Sequence, residues 1–422
     1  MHSVTNAIPT GTIASIPAKA HAHRALICAA LATSPSTILL SRTSKDIDAT
    51  MDSLRGLGAH VVYENKIVTV TPGPAPAKGN VVPHESGTTL RLLLPVAASI
   101  CNDVDVDAKG RLPDRPLEPM LGELKAHGVT FSQDKPPFTM TGRLQGGHFS
   151  MVGDVSSQFF SGLLLAAPQI GLSTITSTTP LQSSDYVTLT TETMRDFGVE
   201  VEHTLPNTNI NEAFTVPFGT SFIGRDNYQI EGDWSNAAIW MVAAGMTGKP
   251  ITITGMNKNS VQADRRIMQV MIDAGCDVVW DGMNVTVTGR AFKPIHADLE
   301  QMPDMLPVMA ALACSISGES SFVKGARLRL KESDRLVAVA NLVRDLGGTV
   351  REEGDDLYII GSGILKGGHG DCVNDHRLVM AGTLMALISE NPVTLQDSEA
   401  ITKSYPHFFE DWNLLGGNAQ PV

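Results

Sequence analysis

A chain of 422 residues, 42% hydrophobic and 18% charged, holds material for more than one hydrophobic core, so two domains are expected and disordered, fibrous and disulfide-stapled classes are excluded. Its 32 basic and 44 acidic residues give a formal charge of −12, which argues against non-specific binding to nucleic acid or anionic membrane and makes any basic cluster informative. The five cysteines (Cys28, Cys101, Cys276, Cys314, Cys372) are scattered and form no C-x-x-C pair, the pattern of a reduced, cytoplasmic protein.

The opening MHSVTNAIPTG lacks a basic region followed by an apolar one, so no secretory leader is expected, and no window reaches the roughly 18 consecutive apolar residues of a membrane span. The first helix is predicted from SIPAKAHAHRALICAALA, where Lys19, His21, His23 and Arg24 stand ahead of an apolar run. Two residues apart on a helix, the histidines point to different sides, and no nearby trio completes a ligand set. No metal site is expected; the histidines cap or line the helix start.

From there one unit recurs: an apolar, helix-like run ends in Gly and a β-branched pair follows, as in LRGLGAHVVY, LKAHGVTF, MRDFGVEVE, MIDAGCDVVW and LVRDLGGTV. Each reads as helix, left-handed glycine cap, strand. The glycines Gly58, Gly128, Gly198, Gly275, Gly347 and Gly416 recur at intervals of roughly 70 residues, which predicts six units, three per domain. Alternating segments (IVTVTPG, FTMTG, VTVTG, LYIIG) supply a further strand in most units. The last helix has no chain left for its strand, and GTIASIP at the N-terminus is expected to supply it. The domains are then 18–230 and 1–17 plus 231–422, with a two-stranded hinge near 16–19 and 230–233.

Between those amphipathic segments lie helices apolar on all faces: RALICAALA, LRLLLPVAASI, FFSGLLLAA, AAIWMVAAGM, MLPVMAALA and RLVMAGTLMALI. They belong in a core. Each follows a polar prefix (KAHAHR, ESGTTLR, GDVSSQ, EGDWSN, EQMPD, NDHR), and the amphipathic RLVAVANLVRDLG follows KESD. Seven such prefixes carry more charge than N-capping needs, so helix N-termini converging on a cleft for phosphate- or carboxylate-bearing ligands are expected.

In family order, the Pro-x-x-Lys…Arg start, SGTTLR, DRP, GDVSSQF, EGDWSN, KESDR, NDHR and a C-terminal lysine resemble the 5-enolpyruvylshikimate-3-phosphate synthase family along nearly the whole chain. The resemblance implies a mixed α/β (α+β), two-domain enolpyruvyl transferase fold of three βαβαββ units per domain with buried helices, an inside-out α/β barrel. It implies transfer of the enolpyruvyl group of phosphoenolpyruvate to the 5-hydroxyl of shikimate 3-phosphate, no cofactor, and a monomer whose domains close on ligand.

The resemblance also distributes roles. Asp304 matches the base for the 5-hydroxyl, Glu332 the group that protonates C3 of phosphoenolpyruvate, and His376 an auxiliary proton donor. Phosphoenolpyruvate falls to Lys19, Gly87, Arg115, Gln158, Arg335, Arg377 and Lys403. Shikimate 3-phosphate falls to Lys19, Ala20, Arg24, Ser156, Ser157, Gln158, Ser183, Asp304 and Lys331, with Tyr186 packing beside it and Arg91 bracing. The chain departs from the family at Ala18 and Ala20, where serines are usual, and at Glu85 and Arg327, where asparagines often stand. Two other readings share the fold: a sister enzyme acting on UDP-N-acetylglucosamine, which carries a reactive cysteine absent from DAKGRLPDRPLEP, and a homologue that binds without turnover.

Overall fold

All six cap glycines lie one residue beyond a helix's C-cap at positive φ, from 86° at Gly347 to 105° at Gly58. The chain then turns back: the Ala59 amide donates to Leu54 O at 3.1 Å and the Val199 amide to Met194 O at 2.9 Å, closing the last turn before the strand begins. The computed structural model describes residues 1–207 and 211–422. Within them the chain divides into two units, one of Pro17–Ile230 and one of Met1–Ile16 with Glu231–Val422.

Each unit contains three four-stranded sheets of one design. Gly147–Met151 pairs parallel with Ser173–Ser177, which pairs antiparallel with Glu212–Val216, and Glu202–Thr204 lies outside that strand. A core helix joins the first strand to the second, and an amphipathic helix joins the second to the third, which is the βαβαββ order. Such mixed sheets have one face for the core and one for solvent, so their strands alternate: Ser173–Ser177 reads buried, half-buried, buried.

The core helices are Lys19–Ala30, Gly87–Ile100 and Ser157–Ile170 in the first unit, and Trp234–Thr247, Leu306–Ser315 and His376–Met385 in the second. In Trp234–Thr247 every position but Ser235 and Thr247 is buried, including Trp234 and Trp240. Gly87–Ile100 and Ser157–Ile170 pack so closely that a Cβ on Gly162 would fall 2.5 Å from Arg91 O. Only glycine fits that crossing.

Two expectations are corrected. The last helix, Phe408–Leu414, has its own strand, Asn418–Pro421. Pro421 is tolerated because this strand is an edge. The strand that closes on it is His2–Thr5, whereas Gly11–Ala14 pairs parallel with Ile251–Thr254 as the first strand of the next sheet. Among the described residues the six sheets are separate, each ending in edge strands, and the apolar helices lie in each unit's core. Nor is any described helix long and apolar enough to cross a membrane.

Candidate active site

In the first unit the polar prefixes fall at the starts of the three core helices, where unpaired backbone N–H groups favour anions. Ser86 caps its helix by accepting from Thr89 N at 3.2 Å, and Ser156 accepts from Gln158 N at 3.3 Å. Ala18 carries no capping group, so the start of Lys19–Ala30 is left without a side-chain cap.

Lys19 Nζ donates to Asp46 Oδ2 at 2.8 Å from the first turn of Lys45–Gly56. Behind it runs a buried polar chain: His23 Nδ1 to Thr50 Oγ1 at 2.7 Å, Thr50 to Thr89 Oγ1 at 2.7 Å, and Thr89 Oγ1 to Asp46 O at 3.3 Å. Burial, with Lys19 and Arg24 nearby, holds the His23 imidazole well below its ordinary pKa, so it is neutral. His21 instead bonds the Tyr228 hydroxyl at 2.8 Å. The two histidines face different partners, and among the described residues no cluster is arranged to hold a metal.

Arg24 is 1% exposed and already committed. Nε donates to Thr190 Oγ1 at 2.7 Å, Nη1 to Ala20 O at 2.7 Å, and Nη2 to Tyr186 O at 2.9 Å and Ser161 Oγ at 3.3 Å. One Nη1 hydrogen is left, so Arg24 braces the helix start more than it offers a fork to a ligand. Arg91 also braces: Nη1 holds Gln158 Oε1 at 3.2 Å and Nη2 holds Pro116 O at 3.0 Å. Gln158 Nε2 reaches Thr88 Oγ1 at 2.8 Å, so its amide orientation is set from both ends.

Gly87 serves Arg115. A Cβ there would fall 2.5 Å from Arg115 Nη1 and 2.8 Å from its Cζ, so the absent side chain makes room for the guanidinium against the helix start. Glu85 lies in the same neighbourhood, its carboxyl packed on Gly110 in the loop that carries Arg115. Ser156, Ser157 and Ser183 are all buried, Ser183 at a φ of 53°. The Gln182 amide donates to Gly153 O at 3.0 Å and ties the QSSDYV loop to GDVSSQ.

In the second unit Asp304, Lys331, Glu332, Arg335, His376 and Arg377 come together around one guanidinium. Arg335 Nη1 lies 2.7 Å from Asp304 Oδ1, Nη2 lies 2.5 Å from Glu332 Oε2, and Nε lies 2.9 Å from Asp375 Oδ2. Asp304 also receives Lys331 Nζ at 3.1 Å and Arg377 Nη2 at 3.4 Å. Lys403 Nζ donates to Asn374 O at 2.8 Å, beside the NDHR helix start. His376 is 3% exposed, its Nδ1 3.9 Å from Asp375.

Burial opposes the charge on Asp304, but Arg377, Lys331 and Arg335 together outweigh it and hold the carboxyl well below the usual range. Lys331 is lowered to about 8, first by burial and then by Arg335 and Arg327. Three carboxylates hold Arg335 above its ordinary value against its own burial. A carboxylate so held is a weak base in this charge setting.

Two carboxylates escaped the sequence reading. Asp46 sits in SKDID, where it reads as a first-turn dipole partner. Asp375 is fully buried, caps its helix through Arg377 N at 3.0 Å and carries Arg335. The signal for both was an acid in a short polar prefix, which capping explains equally well.

Residues 7–412 match the family model described as EPSP synthase (3-phosphoshikimate 1-carboxyvinyltransferase). A 3-phosphoshikimate 1-carboxyvinyltransferase of Clostridium kluyveri is 36% identical over 96% of this chain and 95% of its own. One of Methanocorpusculum labreanum is 34% identical over 97% of both chains. The solved EPSP synthase of Acinetobacter baumannii superposes with a TM-score of 0.80 over 100% of this chain and 99% of its own; at 22% identity it speaks to the fold alone.

Proposed function

We propose, on the premise that this chain belongs to the EPSP synthase family, that it transfers the enolpyruvyl group of phosphoenolpyruvate to the 5-hydroxyl of shikimate 3-phosphate and releases phosphate. The observation that carries the reading is Arg335, which holds two carboxylates, Asp304 and Glu332, on one guanidinium beside Lys331 and Arg377. Addition across an enol needs a base for the attacking hydroxyl and an acid for the carbon, with cations for the substrates' charge.

The 5-oxygen attacks C2 while Asp304 takes its proton, and C3 takes a proton from Glu332. The tetrahedral ketal phosphate then loses phosphate from C2 and a proton from C3 back to Glu332. Lys19, Arg115, Gln158, Arg335, Arg377 and Lys403 bind the donor, with His376 as an auxiliary donor of protons. Gly87 contributes through Arg115. Lys19, Arg24, Ser156, Ser157, Gln158, Ser183, Asp304 and Lys331 bind the acceptor, with Ala20 on the same turn.

The half-buried Lys19–Asp46 pair and the three buried serines support the acceptor assignment, since charge-assisted bonds to phosphate are strong where water is scarce. Shikimate 3-phosphate is preferred over UDP-N-acetylglucosamine because Cys101 is 2% exposed behind the helix Gly87–Ile100 and offers no reactive thiol. Five buried free cysteines support a reducing, cytoplasmic setting.

A coupled phosphate-release assay tests the proposal. Turnover that requires both substrates is expected, and none at millimolar concentrations points to the homologue that binds without reacting.

A further inference from the structure

Asp264 is a buried carboxyl to which no role has been given. It opens the short turn Ala263–Arg266 and is 1% exposed. Ser235 donates its hydroxyl to Oδ2, while Oδ1 is buried and has no hydrogen-bond partner among the described residues. Its turn and Pro303–Met305 both pack against Trp234–Thr247, which His376–Met385 also contacts. The charged groups facing it are thus Arg377, Asp304 and Asp233. On its own turn Arg265 bonds Lys258 O and Arg266 bonds Ala263 O.

A carboxylate with one bare oxygen and two acidic neighbours is costly to keep ionised in the interior. Burial is the largest cause that lifts its pKa to about 6; Asp304 and Asp233 push the same way, and Arg377 and the Ser235 hydroxyl resist. The stabilising charge on Arg377 is the one that an arriving carboxylate or phosphate consumes.

We infer that Asp264 takes up a proton from solvent when an anion occupies Arg377, so that the buried negative charge added by the ligand is offset at a side chain that does not touch it. Asp264 is a positioning residue in this account. The inference rests on the proposed function in one respect: the anion is phosphoenolpyruvate.

Calorimetric titration of phosphoenolpyruvate into the full chain, near pH 7 in two buffers of different ionisation enthalpy, counts the protons taken up. If bound anion raises Asp264 by about one unit, the wild type takes up about 0.4 proton more than Asp264→Asn, in which the ligand's own proton change remains. Ser235→Ala removes the donor that favours the ionised form and raises the free and bound values together, so its pH of maximal uptake shifts upward from the wild type's, while Asp264→Asn loses the extra uptake at every pH. Binding with equal uptake in all three overturns the inference alone. No binding by any of them overturns the donor assignment as well.

Discussion

Lys19 Nζ lies 2.8 Å from Asp46 Oδ2, both side chains being less than one-fifth exposed. The lysine proposed to meet both substrates is therefore aimed by an acid on the neighbouring helix. Asp46→Asn keeps the shape and removes the charge, and KM for both substrates is expected to rise about tenfold, the scale of one charge-assisted hydrogen bond. Equal KM values with a lowered Tm would assign Asp46 to folding only.

Asp304 and Glu332 share Arg335 but are proposed to move different protons. Asp304→Asn and Glu332→Gln are each expected to lower kcat about 10²- to 10⁴-fold with a small change in substrate binding. Arg335 keeps Asp375 in both variants, so the fold persists. Steady-state kinetics beside a thermal melt separates the two effects.

Gly87→Ala places a methyl 2.5 Å from Arg115 Nη1. A flexible side chain can retreat, so Tm is expected to stay within about a degree or two while KM for phosphoenolpyruvate rises severalfold. Were KM for shikimate 3-phosphate to rise alone, the pairing of Gly87 with Arg115 would not explain the site.

Ala20→Ser adds a hydroxyl on the turn of Lys19 and Arg24. A contact worth about 0.5–1.5 kcal/mol corresponds to a KM for shikimate 3-phosphate roughly 2- to 10-fold lower, with the donor unaffected. An unchanged KM would show that the acceptor does not reach this turn.

Burial lowers the His21 pKa to about 4. The unfolded chain binds a proton near the ordinary histidine value of 6.5 and the folded chain does not, so stability rises with pH across this window and is lost as pH falls from about 6.5 to about 4. The slope is up to about 1.4 kcal/mol per unit for each such histidine, and His23 adds to it. Denaturant midpoints between pH 7 and pH 4 for wild type and His21→Gln measure it; parallel pH profiles would contradict neutral burial.

The repeat, the core helices and the charged helix starts were legible because their signals are local. A left-handed glycine just past a helix's C-cap, a run apolar on all faces and a KESDR helix start each fit within a few turns of chain. The N-terminal strand GTIA was misassigned, and HSVT missed, for the converse reason. HSVT and GTIA both alternate, and nothing within four residues says which sheet each joins. Their partners lie at Asn418–Pro421 and Ile251–Thr254.

Sequence alone determined the six-unit architecture and the charged helix starts on which the proposed site rests, because capping, hydrophobic period and charge are properties of short stretches. The tertiary structure decided what each charge faces. Lys19 meets Asp46 across 27 residues, Arg335 meets Asp375 across 40, and Ser235 meets Asp264 across 29. Those pairings have no period to betray them, and in a buried setting the partner, more than the residue type, sets a group's charge state and direction.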